Sequence, residues 1–137
     1  MGKIQLELSE SLEDYLVAIY ELSRDHGSAR SAAIADRLNV STASVTNALR
    51  SLADRKLINY ERYQAVTLTR DGGQTAAQVA RRKRILERFF VDVLHLDEGE
   101  AEQNAHRMEH MITPTALDRL IDFLDELQKS RRTDSNQ

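Results

Sequence analysis

SAAIADRLNVSTASVTNALRSLADR, residues 31–55, is the stretch whose reading decides the fold. Ile34, Ala35 and Leu38 on one side, and Val45, Leu49 and Leu52 on the other, recur at helical spacing around Asn39-Val40-Ser41, which reads as a tight turn. Two short helices, residues 31–38 and 42–55, joined in this way predict a helix-turn-helix. The second helix opens with Ser41, Thr42, Ala43, Ser44, Val45, Thr46 and Asn47, small and polar except for Val45. Such an end fits deep in a major groove, where Asn47 can bond an adenine edge in two places and the hydroxyls can reach bases or phosphates. A plainer reading of the same residues is ordinary helix capping on a solvated surface.

Working outward, Leu12, Tyr15, Leu16, Ile19, Tyr20 and Leu22 predict a helix from Ser9 or Ser11 to about Arg24, stopped by His26-Gly27-Ser28. Downstream, residues 57–62 and 65–69 alternate apolar and polar about a turn near Tyr63-Gln64, the pattern of a β-hairpin, here a wing. Between residues 50 and 70, Arg50, Arg55, Lys56, Arg62 and Arg70 face only Asp54 and Glu61, a local positive patch suited to phosphates. Ser31, Ser41, Thr42, Ala43, Ser44, Thr46, Asn47, Arg50 and Arg62 are the expected contacts to double-stranded DNA.

Asp71-Gly72-Gly73 reads as a break, followed by helices over 74–96, 99–112 and 114–127, the last with Thr113 as cap and Pro114 in its first turn. The fold class is therefore mainly α. A winged helix-turn-helix domain is expected over 1–72, a helical metal-binding and dimerisation domain over 73–130, and a polar tail over 131–137. The second domain has much apolar surface for its size, so a second copy is expected to cover it.

The whole chain has 137 residues, 19 basic and 22 acidic, for a net charge of -3. That excludes coating nucleic acid by bulk charge, so DNA contact must come from the local patch. With no cysteine, a disulfide framework and thiolate metal sites are excluded, and a cytoplasmic location is expected. No apolar run is long enough to span a membrane. Met1-Gly2 suggests a myristoylation site, but Leu6 stands where that motif needs Ser or Thr.

His106-Arg107-Met108-Glu109-His110 puts two imidazoles and a carboxylate on one helical face. That is a partial site for a divalent cation, with positions open for ligands from elsewhere. The same residues also read as a solvated face with local ion pairs. They spell H-x-x-E-H too, a zinc-peptidase motif with Glu109 as general base. A peptidase needs a cleft and a further ligand, for which this short chain has little room. No enzyme activity is expected. His26 and His95 read as surface residues, and Arg81-Arg82-Lys83-Arg84 as a solvated helix face.

Glu13-Asp14-Tyr15-Leu16 with Ile19-Tyr20, Ile34-Ala35 and Leu38, Ser44-Val45-Thr46, Leu68-Thr69 and Glu109-His110 together resemble the diphtheria-toxin-repressor family of metal-activated transcription factors. The similarity is greatest to its two-domain, manganese-sensing branch, and the SH3-like domain of longer members is not expected here. The resemblance implies a metal site of Asp14, His106, Glu109 and His110, with His106 where other members carry glutamate or cysteine. Taken alone, Asp14 pairs with Ser11 as an ordinary capping box. The family's second metal site reads as broken, because Val17 and Lys83 replace ligands. One ion per protomer is therefore expected, Mn2+ or Fe2+, with Zn2+ and Co2+ also compatible with the donors. Lys83 is expected to pair with Glu87, Glu102 or Glu109. The implied function is a homodimeric repressor of metal-uptake genes on a palindromic operator, and the rival is a metal-independent winged-helix regulator.

Overall fold

The computed structural model describes residues 8–135, so the Met1-Gly2 and Leu6 reading lies outside the described residues. The chain forms two compact units that divide between Val79 and Ala80. In the first, α1 (Glu10–His26) is capped by Ser9, whose hydroxyl accepts from the Leu12 N–H at 3.2 Å. Gly27, at φ 82°, ends the helix in the left-handed conformation that glycine adopts most readily.

α2 (Ser31–Leu38) ends at Asn39, φ 54°, and α3 (Thr42–Asp54) starts from Ser41, whose side chain accepts from the Ser44 N–H at 3.1 Å. Asparagine tolerates the left-handed region better than most side chains, which is why a three-residue turn suffices between the helices. Leu16, Ile19, Ile34, Val45, Leu49 and Leu52 pack as one fully buried core with Ile58 and Val66 from the wing. Each such aliphatic side chain contributes about 1.5–3 kcal/mol of burial.

The wing is shorter than the alternation suggests. β1 (Ile58–Asn59) and β2 (Thr67–Leu68) pair antiparallel, Ile58 opposite Leu68 and Asn59 opposite Thr67. Its base is held by a bridge the sequence pattern does not reveal: the Val66 N–H donates to the Ala29 carbonyl at 2.6 Å, and the Ala29 N–H donates back at 3.4 Å. Ala29 lies between α1 and α2, so this contact ties the hairpin to the helix-turn-helix.

α4 (Arg70–Asp92) corrects the expected break at Asp71-Gly73, because the helix runs straight through both glycines. Two local contacts explain it. The Thr69 hydroxyl accepts from the Gly72 N–H at 3.1 Å while donating to the Lys56 carbonyl at 2.7 Å. A Cβ on Gly72 would lie 1.8 Å from the Leu57 carbonyl oxygen, so glycine is needed here for close approach and not for a turn.

In the second unit, Leu86 and Phe90 of α4 pack on Ala101 and Ala105 of α5 (Glu98–Met108). Asp97 caps α5, accepting from the Glu100 N–H at 2.8 Å. The small alanines let α5 approach α4 closely. α6 (Pro114–Ser135) begins at Thr113, which caps it through the Ala116 N–H at 3.2 Å. The helix continues through most of the stretch read as a polar tail. Arg131 donates to the Asp92 carbonyl at 3.2 Å and Arg88 to Gln128 Oε1 at 3.1 Å, bonds that hold the last turns of α6 to α4. Among the described residues, no helix is long and apolar enough to cross a membrane.

Candidate metal centre and nucleic-acid interface

α5 stops at Met108, earlier than the expected Ile112, as residues 109–111 tighten into a turn in which the Met111 N–H bonds the Met108 carbonyl at 3.0 Å. Glu109 still has helical backbone angles, φ -59° and ψ -30°, and its N–H bonds the Ala105 carbonyl at 2.9 Å. Helical pitch is thus kept as far as Glu109. The imidazole centroids of His106 and His110 are 5.6 Å apart, and His110 Nε2 lies 3.3 Å from Glu109 Oε1. One ligand atom from each of His106, Glu109 and His110 lies within 4.8 Å of the others.

The electrostatics of this end of α5 favour a cation. Glu109 and His110 have side chains only 4% and 2% exposed, while His106 is exposed. Burying a carboxylate is costly without positive charge nearby, and the C-terminal end of a helix carries partial negative charge of its own. Two imidazole nitrogens and a carboxylate oxygen form a donor set that a first-row divalent ion accepts. The residues present therefore fit such an ion.

Asp14 is half-buried on α1, beyond its first turn. Its explanation as Ser11's capping partner does not hold, because Ser9 provides the cap and Ser11 is already inside the helix. Val17 occupies the same helix, half-buried. Lys83 Nζ lies 3.4 Å from Glu102 Oε1 on α5 and 3.8 Å from Glu87 Oε1 on its own helix, so it reaches two of the carboxylates named from sequence. Glu102 is 63% exposed, and a pair this open to solvent adds at most about 1 kcal/mol.

On the first unit, Ser41, Thr42, Ala43, Ser44, Asn47, Arg50 and Arg62 are exposed, and Thr46 and Ser31 are half-buried. The capping reading of the polar helix start holds for Ser41 and Ser44. Ser41 acts as the N-cap and its hydroxyl also donates to Ser44 Oγ at 2.9 Å, while Thr46 Oγ1 donates to the Thr42 carbonyl at 3.0 Å. Thr42 and Asn47 extend the exposed edge. Beside it opens a cleft of about 600 Å³ whose lining includes Arg30, Thr46, Arg50, Tyr60, Arg62 and Tyr63. The sequence reading missed Arg30, Tyr60 and Tyr63. Arg30 immediately precedes α2 and Tyr63 sits at the hairpin turn, so their positions in the motif were the available signal.

Residues 7–66 match the iron dependent repressor N-terminal DNA binding domain, and residues 69–136 match the iron dependent repressor metal binding and dimerisation domain. An uncharacterised HTH-type transcriptional regulator of Methanocaldococcus jannaschii is 31% identical over 122 residues, covering 88% of this chain and 98% of that protein. The HTH-type transcriptional regulator MntR of Shouchella clausii is 32% identical over 121 residues, covering 88% of this chain and 84% of the relative. Among solved structures, the manganese regulator SloR superposes with a TM-score of 0.74 at 29% identity, over 83% of this chain and 53% of its own. The chain thus spans about half the length of that structure. Both halves match in order and nearly end to end, and the chain belongs to the iron-dependent repressor family of metal-responsive transcriptional regulators.

Proposed function

We propose that this chain is a repressor switched by Mn2+ or Fe2+, with one ion per protomer held by Asp14, His106, Glu109 and His110. Family membership makes it a metal-dependent, DNA-binding transcriptional repressor. The observation that carries the finer reading is the buried Glu109–His110 pair beside His106 at the negative end of α5. The manganese regulator SloR and a manganese-dependent transcriptional repressor solved with manganese point towards manganese, and the family description towards iron. Two nitrogens and two carboxylates accept either, as well as Zn2+ or Co2+.

A bound ion would supply the positive charge that links Asp14 of the DNA-reading unit to the α5 ligands. A ligand on α1 would make the pose of α3 depend on metal. A single ion is favoured because the Lys83 ammonium already stands between Glu87 and Glu102, placing positive charge where a further cation would be repelled. Leu94, Met108, Met111 and Phe123 leave apolar surface on the second unit, which suits a homodimer. In a two-fold dimer the two α3 helices must stand about 34 Å apart to enter successive major grooves of a palindromic operator. Metal that prefers this spacing raises DNA affinity by population shift. Control of metal-uptake genes in the cytoplasm is the corresponding role, with Glu109 a ligand and not a general base.

The test is operator binding measured with Mn2+, with Fe2+ under anaerobic conditions, and with chelator. Metal-dependent binding by the parent protein, lost in Asp14→Ala and His110→Ala, is the expected result. Equal affinity with metal and chelator would overturn the reading in favour of a metal-independent winged-helix regulator.

A further inference from the structure

We propose that Tyr63, at the tip of the wing, reads the DNA minor groove next to the major groove entered by α3. This rests on the DNA-binding reading above and adds a specificity-determining residue to it. Tyr63 is 86% exposed, the most open large side chain among the described exposed hydrophobics, and its backbone is left-handed at φ 68°. The Gln64 N–H closes a tight turn onto the Glu61 carbonyl at 3.0 Å, so Tyr63 holds the third position of that turn. Glycine or asparagine is the relaxed choice at a positive φ in such a turn, and a bulky aromatic there is strained. Strain held at an exposed tip suggests that the ring is useful outside the protein. The Arg62 guanidinium carbon sits 5.0 Å from the ring centroid and gives the tip a stacked, positively charged face.

The cleft supplies the placement. Thr46 and Arg50 line one wall from α3, Tyr60, Arg62 and Tyr63 line the other from the wing, and Arg30 stands at the start of α2. Three guanidinium groups around one open groove suit a sugar–phosphate strand. That strand is the ridge separating the two grooves of the duplex. With α3 in the major groove on one side, the wing tip overhangs the minor groove on the other. There the phenol can bond the adenine N3 and thymine O2 acceptors, whereas the guanine N2 amino group projects into the space the ring needs. A·T pairs are therefore preferred at the flanking positions.

The experiment uses the full-length metal-loaded protein and a duplex it selects from a randomised pool. Flanking pairs are then set to A·T, G·C, inosine·C or diaminopurine·T, changes that separate the minor-groove amino group from the major-groove pattern. G·C and diaminopurine·T should each weaken binding about fivefold, and inosine·C should restore it. Tyr63→Gly relieves the backbone strain, so it should unfold at an equal or higher urea concentration while binding all four duplexes alike. Tyr63→Phe should retain the steric discrimination in part. Indifference of the parent protein to the amino group, or full discrimination by Tyr63→Gly, would overturn the proposal while leaving DNA binding intact. Failure to enrich any duplex would overturn it together with the DNA-binding reading.

Discussion

Glu109 and Gly72 show how single residues constrain this protein in different ways. Glu109 is a buried carboxylate at the negative end of α5, within reach of two imidazoles. Glu109→Gln keeps the shape but removes the charge and the strong donor oxygen. It should weaken Mn2+ binding by more than about tenfold, the upper range for a supporting residue being about a hundredfold. Isothermal titration calorimetry on the two proteins checks this. Gly72 matters through space alone, since any Cβ would lie 1.8 Å from the Leu57 carbonyl oxygen. Backbone must shift to admit it, so Gly72→Ala should cost about 1–3 kcal/mol, read as a lower urea midpoint with unchanged m-value. Gly73 has nothing within 4 Å of its built Cβ, so Gly73→Ala is the control and should be neutral or stabilising.

At the scale of elements, the joint between wing and α4 carries the most consequence. Thr69 receives the Gly72 N–H, donates to the Lys56 carbonyl, and its own N–H bonds the Leu57 carbonyl at 3.1 Å. One side chain thus starts a 23-residue helix and fastens it to the end of α3. Thr69→Ala removes both hydroxyl bonds and should destabilise by about 1–2 kcal/mol, whereas Thr69→Ser should retain most of the stability. Chemical denaturation of the two variants distinguishes capping from methyl packing. At the α3 start, capping occupies only some of the polar groups. Ser41 and Ser44 are engaged in the cap, which leaves Thr42 and Asn47 as the leading exposed groups.

For the whole molecule, the surplus of acid over base makes binding depend on where the basic groups gather. Arg30, Arg50 and Arg62 gather at one cleft. The slope of log affinity against log salt should therefore be steep for the metal-loaded dimer, falling by about 0.9 for each phosphate contact removed. Arg30→Gln and Arg50→Gln each remove one contact per protomer, hence two per dimer, and should each lower it by about 1.8, measured by fluorescence anisotropy across a salt series. Saturating Mn2+ or Fe2+ should raise operator affinity about 5- to 150-fold over chelator, the range of ordinary allosteric coupling.

The sequence by itself determined the helix-turn-helix, the wing, the helical second half and the clustering of His106, Glu109 and His110. Each of these is a local periodicity or spacing, and local backbone geometry converts it directly into neighbourhood. Tertiary structure alone decided that α4 runs through Gly72 and Gly73, and that Ala29 anchors the wing. It also decided that Arg30 and Tyr63 share a cleft with α3. A glycine pair reads as a helix breaker until the carbonyl pressed against it is known. In the same way, a tyrosine at a turn has no evident role until the groove beside it is seen. Such contacts join residues far apart in the chain, and no short window of sequence contains both partners.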